Sequence, residues 1–168
     1  INERTKAILI CNPNNPTGYL YTQKEMYQIR NLVKKYNLYL FSDEVYREFI
    51  YTGSPYISAM HLDGIEQNVI LIDSVSKRYS ECGIRIGALI TKNENVRKTV
   101  MKFCQARLSP PLIGQIIAEA SIEGTESYSR EVYEEYLDRR KCLIDGVNRI
   151  HGCYSPIPMG AFYTVAQL

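Results

Sequence analysis

The chain has 168 residues, 45% of them hydrophobic, which is enough for one domain with a core, or for one domain and part of another. Its net charge of +2 is nearly neutral and its basic residues are scattered, so we expect neither nucleic acid nor an acidic surface as a partner. No apolar run approaches the ~18 residues of a membrane span, and no signal peptide is visible, so no membrane partner is expected.

Five cysteines are spread along the chain without any Cys-x-x-Cys pair. An odd number of distant cysteines is typical of a reducing compartment and argues against a disulfide framework. The two histidines match no metal-ligand spacing. The sequence therefore predicts a cytoplasmic protein without a metal site.

Short apolar runs alternate with segments of helical periodicity along the chain. The predicted strands are residues 7–11, 38–42, 68–73 and 87–91, with further strand candidates at 49–51 and 161–166. The predicted helices run from Thr22 or Gln23 to about 36, from 93 to about 107, from 112 to 123, and from 126 to about 150. Strands that alternate with helices predict an α/β fold, a three-layer arrangement with a mainly parallel sheet covered on both faces.

The fourth strand is expected to differ in direction from the others. Gly83 and Gly87 permit a tight reversal around Arg85, and such a close return favours an antiparallel partner. Right-handed crossovers between the first three strands would bring Asn15, Asp43 and Lys77 to one edge of the sheet.

A polar cluster follows the third strand, in the stretch from Ser74 to Arg85. Ligands of open α/β sheets bind just outside the carboxyl ends of the strands. A lysine there, if its pKa is lowered, can form a Schiff base with an aldehyde, which makes Lys77 a candidate. Arg85 and Ser74 would suit an anion such as a phosphate, because guanidinium binds phosphate in a planar, bidentate way.

Pyridoxal phosphate (PLP) needs four kinds of group: a lysine, a carboxylate for its ring nitrogen, donors for its phenolic oxygen, and an anion site. Asp43, at a strand end, can hold the ring nitrogen protonated. Tyr46 and Asn15 can hydrogen-bond the phenolic oxygen. With Lys77 at the aldehyde, the chain offers a candidate for each need, and PLP is the predicted cofactor.

Five stretches of the chain carry a family resemblance. They are Asn-Pro-Asn-Asn-Pro-Thr-Gly at 12–18, Ser-Asp-Glu-Val-Tyr at 42–46, Ser-Val-Ser-Lys at 74–77, Cys-Gly-Ile-Arg-Ile-Gly at 82–87 and Pro-Met-Gly-Ala-Phe-Tyr at 158–163. In order and spacing the chain resembles the class I and II aminotransferases, which are fold-type I PLP enzymes. Carried over position by position, the resemblance implies Lys77 as the catalytic Schiff-base lysine. It also implies Asp43 at the ring nitrogen, Asn15 and Tyr46 at the phenolic oxygen, and Ser74 and Arg85 at the phosphate.

The resemblance also implies a domain organisation and an activity. It makes residues 1–125 the C-terminal part of the PLP-binding large domain, 126–150 a long connecting helix, and 151–168 the start of the small C-terminal domain. The implied reaction moves an amino group between an L-amino acid, aspartate or a similar small one, and a 2-oxo acid, in a homodimer. Further phosphate, ring-stacking and substrate-carboxylate groups are expected before Ile1 and beyond Leu168, so this piece alone is expected to be weak or inactive.

Some residues depart from the family pattern and leave alternatives open. Arg78 stands where a small residue is frequent after the lysine, and Glu81 and Cys82 replace small or apolar residues. A PLP-dependent lyase or decarboxylase on the same scaffold is one alternative, although such lyases tend to have His at position 46 and to lack the arginine at 85. A non-catalytic effector domain of a transcription regulator is another, and it would require an upstream DNA-binding segment. Glu44 is interpreted as a carboxylate at a helix N-terminus.

Overall fold

The computed structural model describes residues 1–53, 55–124 and 126–168, and within these ranges it contains a four-stranded sheet. The strands, in spatial and chain order, are β1 (Ala7–Cys11), β2 (Tyr39–Asp43), β3 (Val69–Ser74) and β4 (Gly87–Ile90). The first three are parallel, and β4 pairs antiparallel with β3. The predicted mainly parallel sheet and its antiparallel last strand are both confirmed.

One face of the sheet is covered by the first helix, α1 (Gln23–Tyr36). Thr22 caps α1, because its hydroxyl accepts from the Glu25 amide while the Glu25 carboxylate accepts from the Thr22 amide. Met26 and Val33, two turns apart on α1, are fully buried. The core cluster on this face consists of Ile10, Met26, Val33, Leu40, Ala59, Leu62, Ile65 and Val69.

The opposite face of the sheet is more open over the described residues. The strand register places Leu9, Asp43 and Leu89 on this face, since side chains alternate along each strand. Leu9 remains 72% exposed and Leu89 40% exposed. The cover predicted for this second face is therefore incomplete, and Asp43 lies on the accessible side.

The remaining helices are α2 (Val75–Arg78), α3 (Glu94–Arg107), α4 (Leu112–Ile122) and α5 (Glu126–Val147). Tyr136 of α5 stacks on Phe162 at 4.7 Å between ring centroids, and Ile144 is buried, so α5 packs against the last segment of the chain. None of these helices is long and apolar enough to cross a bilayer. The predicted domain boundary at residue 125 falls on a position outside the described ranges and stays a prediction.

The strand candidates at 161–166 and 49–51 are wrong, and three other predicted strands differ by one residue at one or both limits: 38–42, 68–73 and 87–91 are observed as Tyr39–Asp43, Val69–Ser74 and Gly87–Ile90. The segment at 161–166 is not a strand, because Ala161 has a left-handed backbone (φ 56°) and its amide bonds to the Phe49 carbonyl at 2.9 Å. The candidate at 49–51 is reduced to one isolated bridge, between Ile50 and Gly160. The second strand begins one residue late because the Leu38 amide still bonds to the Val33 carbonyl at the end of α1.

Candidate active site

The carboxyl ends of β1, β2 and β3 meet at one edge of the sheet, and each continues into a polar segment. The Asn12 amide donates to the Asp43 carbonyl at 2.9 Å, and the Glu44 amide donates to the Ile72 carbonyl at 3.0 Å. These bonds extend the strand pairing by one residue and hold the loop at 12–18, the turn at 44–48 and α2 side by side. The edge predicted from the crossover rule therefore exists.

A chain of three hydrogen-bonding side chains crosses this edge. The Asn15 amide nitrogen donates to the Tyr46 hydroxyl at 3.4 Å, and that hydroxyl lies 3.0 Å from the hydroxyl of Tyr163, to which it donates. Burial, and next the bond to Tyr163, raise the pKa of Tyr46, while the bond from Asn15 opposes the rise. Tyr46 therefore keeps its proton at neutral pH and can act as a hydrogen-bond donor.

The amine of Lys77 lies near the aromatic rings of Tyr46 and Phe162. Its Nζ is 5.9 Å from the ring centroid of Tyr46 and 6.0 Å from that of Phe162. An ammonium near aromatic faces is attracted by their quadrupoles. Among the described residues Lys77 forms no ion pair with a carboxylate, so its amine is not committed to an acidic partner.

Asp43 is the last residue of β2 and faces the open side of the sheet. Its Oδ1 accepts from the Val45 amide at 3.2 Å, which fixes the carboxylate at the start of the turn. Cys11 is its register partner on β1. Burial raises the pKa of the Cys11 thiol, and the Asp43 charge adds to the rise, so a neutral thiol borders the carboxylate.

The two residues predicted for an anion lie at opposite ends of the segment between β3 and β4. The Ser74 hydroxyl caps α2 by accepting from the Ser76 amide at 3.1 Å, and it lies 2.8 Å from the Ile86 carbonyl. Arg85 is exposed, has a left-handed backbone (φ 60°) and donates to the Cys82 carbonyl at 2.9 Å. The Ile86 contact holds Ser74 against the backbone next to Arg85, while the Arg85 guanidinium bonds to the Cys82 carbonyl.

Sequence reasoning missed two aromatic residues of the site, Phe162 and Tyr163. They reach it because the backbone at Gly160 lies against Pro13: a Cβ at position 160 would be 2.7 Å from the Pro13 Cβ. The aromatic pair that follows Gly160 in the sequence is the available signal, although its position in the chain predicts the start of a second domain instead.

Glu44 has a different place from the one expected for it. No helix begins at Glu44, and its side chain is fully buried. Its Oε1 accepts from the Ser42 hydroxyl at 3.0 Å and from the Ala59 amide at 2.8 Å. Glu44 therefore fixes the short helical turn Ala59–His61 beneath the sheet edge instead of facing a ligand.

The donor set at this edge suits PLP. Four kinds of side chain follow the ends of adjacent strands. They are the amine of Lys77, the carboxylate of Asp43, the hydrogen-bonded pair of Asn15 and Tyr46, and the guanidinium of Arg85, which has no acidic partner among the described residues. These are the four kinds of group that the cofactor needs. No cluster of His, Cys, Asp or Glu in the described ranges could hold a metal ion.

Comparison with known proteins gives a consistent result. Residues 1–168 match the family model described as aminotransferase class I and II. Aspartate aminotransferase of Bacillus subtilis is 30% identical to this chain, and the alignment covers 97% of this chain. The structure resembles that of aspartate aminotransferase from Rhizobium meliloti (TM-score 0.90, 27% identity, 99% of this chain) and alanine aminotransferase from Pyrococcus furiosus (TM-score 0.87, 34% identity, 96%). The chain spans 42% of the length of each of these three proteins.

Proposed function

Because this chain belongs to the class I and II aminotransferases, we propose that the full-length protein moves an amino group between an L-amino acid and a 2-oxo acid. Enzymes of this family use PLP. When bound, PLP supplies an aldehyde that reacts with amines and a ring that withdraws electrons from the substrate α-carbon. The observation that supports the proposal best is the amine of Lys77 beside the Asn15 and Tyr46 pair.

Lys77 is proposed as the residue that bonds to the cofactor and, once released, moves the proton at the α-carbon. The rings of Tyr46 and Phe162 lie on one side of its amine, with centroids 5.9 and 6.0 Å from Nζ. A lysine whose amine forms no ion pair is free to bond to an aldehyde and, in its neutral form, to accept a proton.

Asp43, Tyr46 and Asn15 are proposed to orient the cofactor ring. The Asp43 carboxylate would pair with a protonated ring nitrogen, which favours the electron-withdrawing form of the ring. Tyr46, neutral because its pKa is raised, would donate to the phenolic oxygen, and Asn15 would donate to the same oxygen or to Tyr46.

Arg85 and Ser74 are proposed to bind part of the phosphate. Arg85 has no acidic partner among the described residues and is exposed, so it can turn toward an anion. We expect Arg85→Met to raise the Kd for PLP by about tenfold or more, because a charge-assisted hydrogen bond is worth ~1.5–3 kcal/mol. Absorbance titration of the protein with PLP measures this, and an unchanged Kd would remove Arg85 from the phosphate site.

The amino donor is proposed to be aspartate or a similar small amino acid. The relatives named above are aspartate and alanine aminotransferases, and this supports a small donor. The test is a panel of L-amino acids, each with and without a 2-oxo acid acceptor. Turnover of a donor without the acceptor would instead indicate a lyase or decarboxylase.

We also propose that the full-length protein is a cytoplasmic homodimer. Large apolar side chains on α3 and α4, such as Phe103, Ile113 and Ile122, are each at least 70% exposed, which supports further packing partners. All five cysteines are unpaired, which supports a reducing compartment. Light scattering during gel filtration tests the dimer.

The 168 residues by themselves are proposed to be weak or inactive as an enzyme. The chain spans less than half the length of its relatives, which supports this proposal. Full transaminase activity of the 168-residue chain would show it to be wrong.

The decisive experiment for the function is borohydride reduction of the PLP-loaded full-length protein, followed by peptide mapping. We expect the label on Lys77 and its loss in Lys77→Arg, because a guanidinium stays protonated and cannot replace the amine. Lys92→Arg, at an exposed position after β4, is the matched control and should keep the label. A label on another lysine in the wild-type protein would overturn the assignment.

A further inference from the structure

The helix α2, which carries Lys77, is only four residues long. At the end of α2 the Tyr79 amide donates to the Val75 carbonyl at 3.1 Å. A single helical turn is unstable by itself, since fixing its dihedral angles costs more than its few hydrogen bonds return. The position of the lysine must therefore depend on contacts that its neighbours make.

The carboxylate of Asp73 contacts both ends of this helix. Its Oδ1 accepts from the amide of Ser74, the capping residue, at 2.8 Å. Its Oδ2 lies 3.0 Å from Nη2 of Arg78, the last residue of α2, and 2.8 Å from Nη2 of Arg47. Arg47 directly follows Tyr46, so one carboxylate joins the lysine helix to the turn that carries the tyrosine.

Glu48 completes the arrangement, and we call Arg47, Glu48, Asp73 and Arg78 the ion-pair cluster. Glu48 Oε1 lies 3.1 Å from Nε of Arg78 and 3.7 Å from Nε of Arg47, so two guanidinium groups share two carboxylates. Asp73 is 13% exposed and the two arginines are 23% and 25% exposed, while Glu48 is 45% exposed. Partly buried ion pairs that share their partners fix the positions of the side chains better than isolated, exposed ion pairs do.

We propose that the ion-pair cluster is a positioning device that holds the Lys77 amine at its working distance from the Tyr46 ring and hydroxyl. The inference rests on the proposed aminotransferase function and adds residues that touch neither cofactor nor substrate. It also gives a role to Arg78, which stands where the family pattern has a small residue. In this chain the side chain after the lysine turns back to Asp73 and Glu48 and anchors the helix.

Replacing Arg78 by Met (Arg78→Met) in the PLP-loaded full-length protein tests this role. Asp73 then keeps Arg47, and Glu48 is exposed enough to be solvated, so folding should persist. A misplacement of about 1 Å can cost ~10²-fold in rate, so we expect kcat to fall about 10- to 100-fold while KM changes less than about threefold. Borohydride labelling of Lys77 should slow in parallel, which is a readout independent of turnover.

Two further variants separate positioning from general destabilisation. Arg78→Lys keeps the charge but can contact only one carboxylate at a time, so its kcat should lie between those of wild type and Arg78→Met. Arg30→Met breaks an ion pair of the same 3.0 Å length, with the exposed Asp63 and outside the ion-pair cluster, and should leave kcat and labelling unchanged. If Arg78→Met does not fold, Arg78→Lys and Glu48→Gln carry the same test with smaller expected losses in kcat.

The outcomes distinguish this inference from the proposed function. If wild type fails to bind PLP through Lys77, the proposed function fails. If wild type is active but Arg78→Met and Arg78→Lys behave like Arg30→Met, the positioning role alone is overturned. A loss of PLP affinity or a rise in KM as large as the loss of kcat would also overturn it, since that pattern indicates a structural role only.

Discussion

The contact between the loop at 12–18 and the segment at 158–163 gives the sharpest stability prediction. Gly18 has a left-handed backbone (φ 67°), and its carbonyl accepts from the amides of Met159 and Gly160. A Cβ at position 18 would overlap the Pro158 Cβ and lie 2.8 Å from the Tyr163 carbonyl oxygen. In Gly18→Ala, the strain of a left-handed backbone at alanine (~1–2 kcal/mol) adds to the cost of overpacking (~1–3 kcal/mol). We therefore expect the free energy of unfolding to fall by about 2–5 kcal/mol.

The matched control is Gly53→Ala. Gly53 has nearly the same backbone angle (φ 68°), but a Cβ there would meet nothing within 4 Å, so only the strain of ~1–2 kcal/mol remains. Urea unfolding followed by circular dichroism gives both free energies of unfolding. Equal losses in the two variants would contradict this prediction, because they would show that the loop and the segment are not in tight contact at Gly18.

Three other changes test the core, a helix cap and a buried hydroxyl. Leu40→Ala, at a fully buried position of β2, should lower the free energy of unfolding by ~2–5 kcal/mol, and a loss below ~1 kcal/mol would contradict the core assignment. Thr22→Ala should cost ~1 kcal/mol by urea unfolding, since it removes the cap of α1. Burial raises the pKa of Tyr51, although the Arg140 charge opposes this, so its neutral form is favoured in the folded state and stability falls as pH rises above ~10. Tyr51→Phe, which removes a hydroxyl without a hydrogen-bond partner in the described residues, should make thermal unfolding less sensitive to pH above ~10; an unchanged sensitivity would argue against the burial of this hydroxyl.

Most of the fold follows from local patterns that depend on few residues. The apolar spacing in residues 23–36 predicts α1 at its observed bounds, and the runs at 7–11 and 87–91 lie within one residue of β1 and β4. The spacing does not show which apolar residues are buried: Met26 and Val33 are fully buried, whereas Leu32 is 39% exposed. The strand expected at 161–166 fails because the left-handed conformation of Ala161 is imposed by a distant carbonyl, on Phe49, that no local pattern reveals.

The candidate site also combines features that local sequence patterns predict with features that depend on distant contacts. Parallel strands with right-handed crossovers place Asn15, Asp43 and Lys77 at one edge, and this needs only strand order. The bond from Tyr46 to Tyr163 joins residues 117 positions apart, so its existence depends on how the end of the chain folds back. The role of Arg78 likewise depends on side-chain directions in a turn, which sequence spacing does not determine.

The pairing of β3 with β4 has a practical consequence for protein engineers. Residues 75–86 leave and rejoin the sheet at two neighbouring strands, so they resemble an exchangeable cassette that could be grafted from a relative without altering the strands. The side chain of Arg78 nevertheless reaches outside that stretch, to position 48. A successful graft would therefore have to transfer positions 47 and 48 together with the cassette, and chimaeras made without them should be impaired even though every strand is intact.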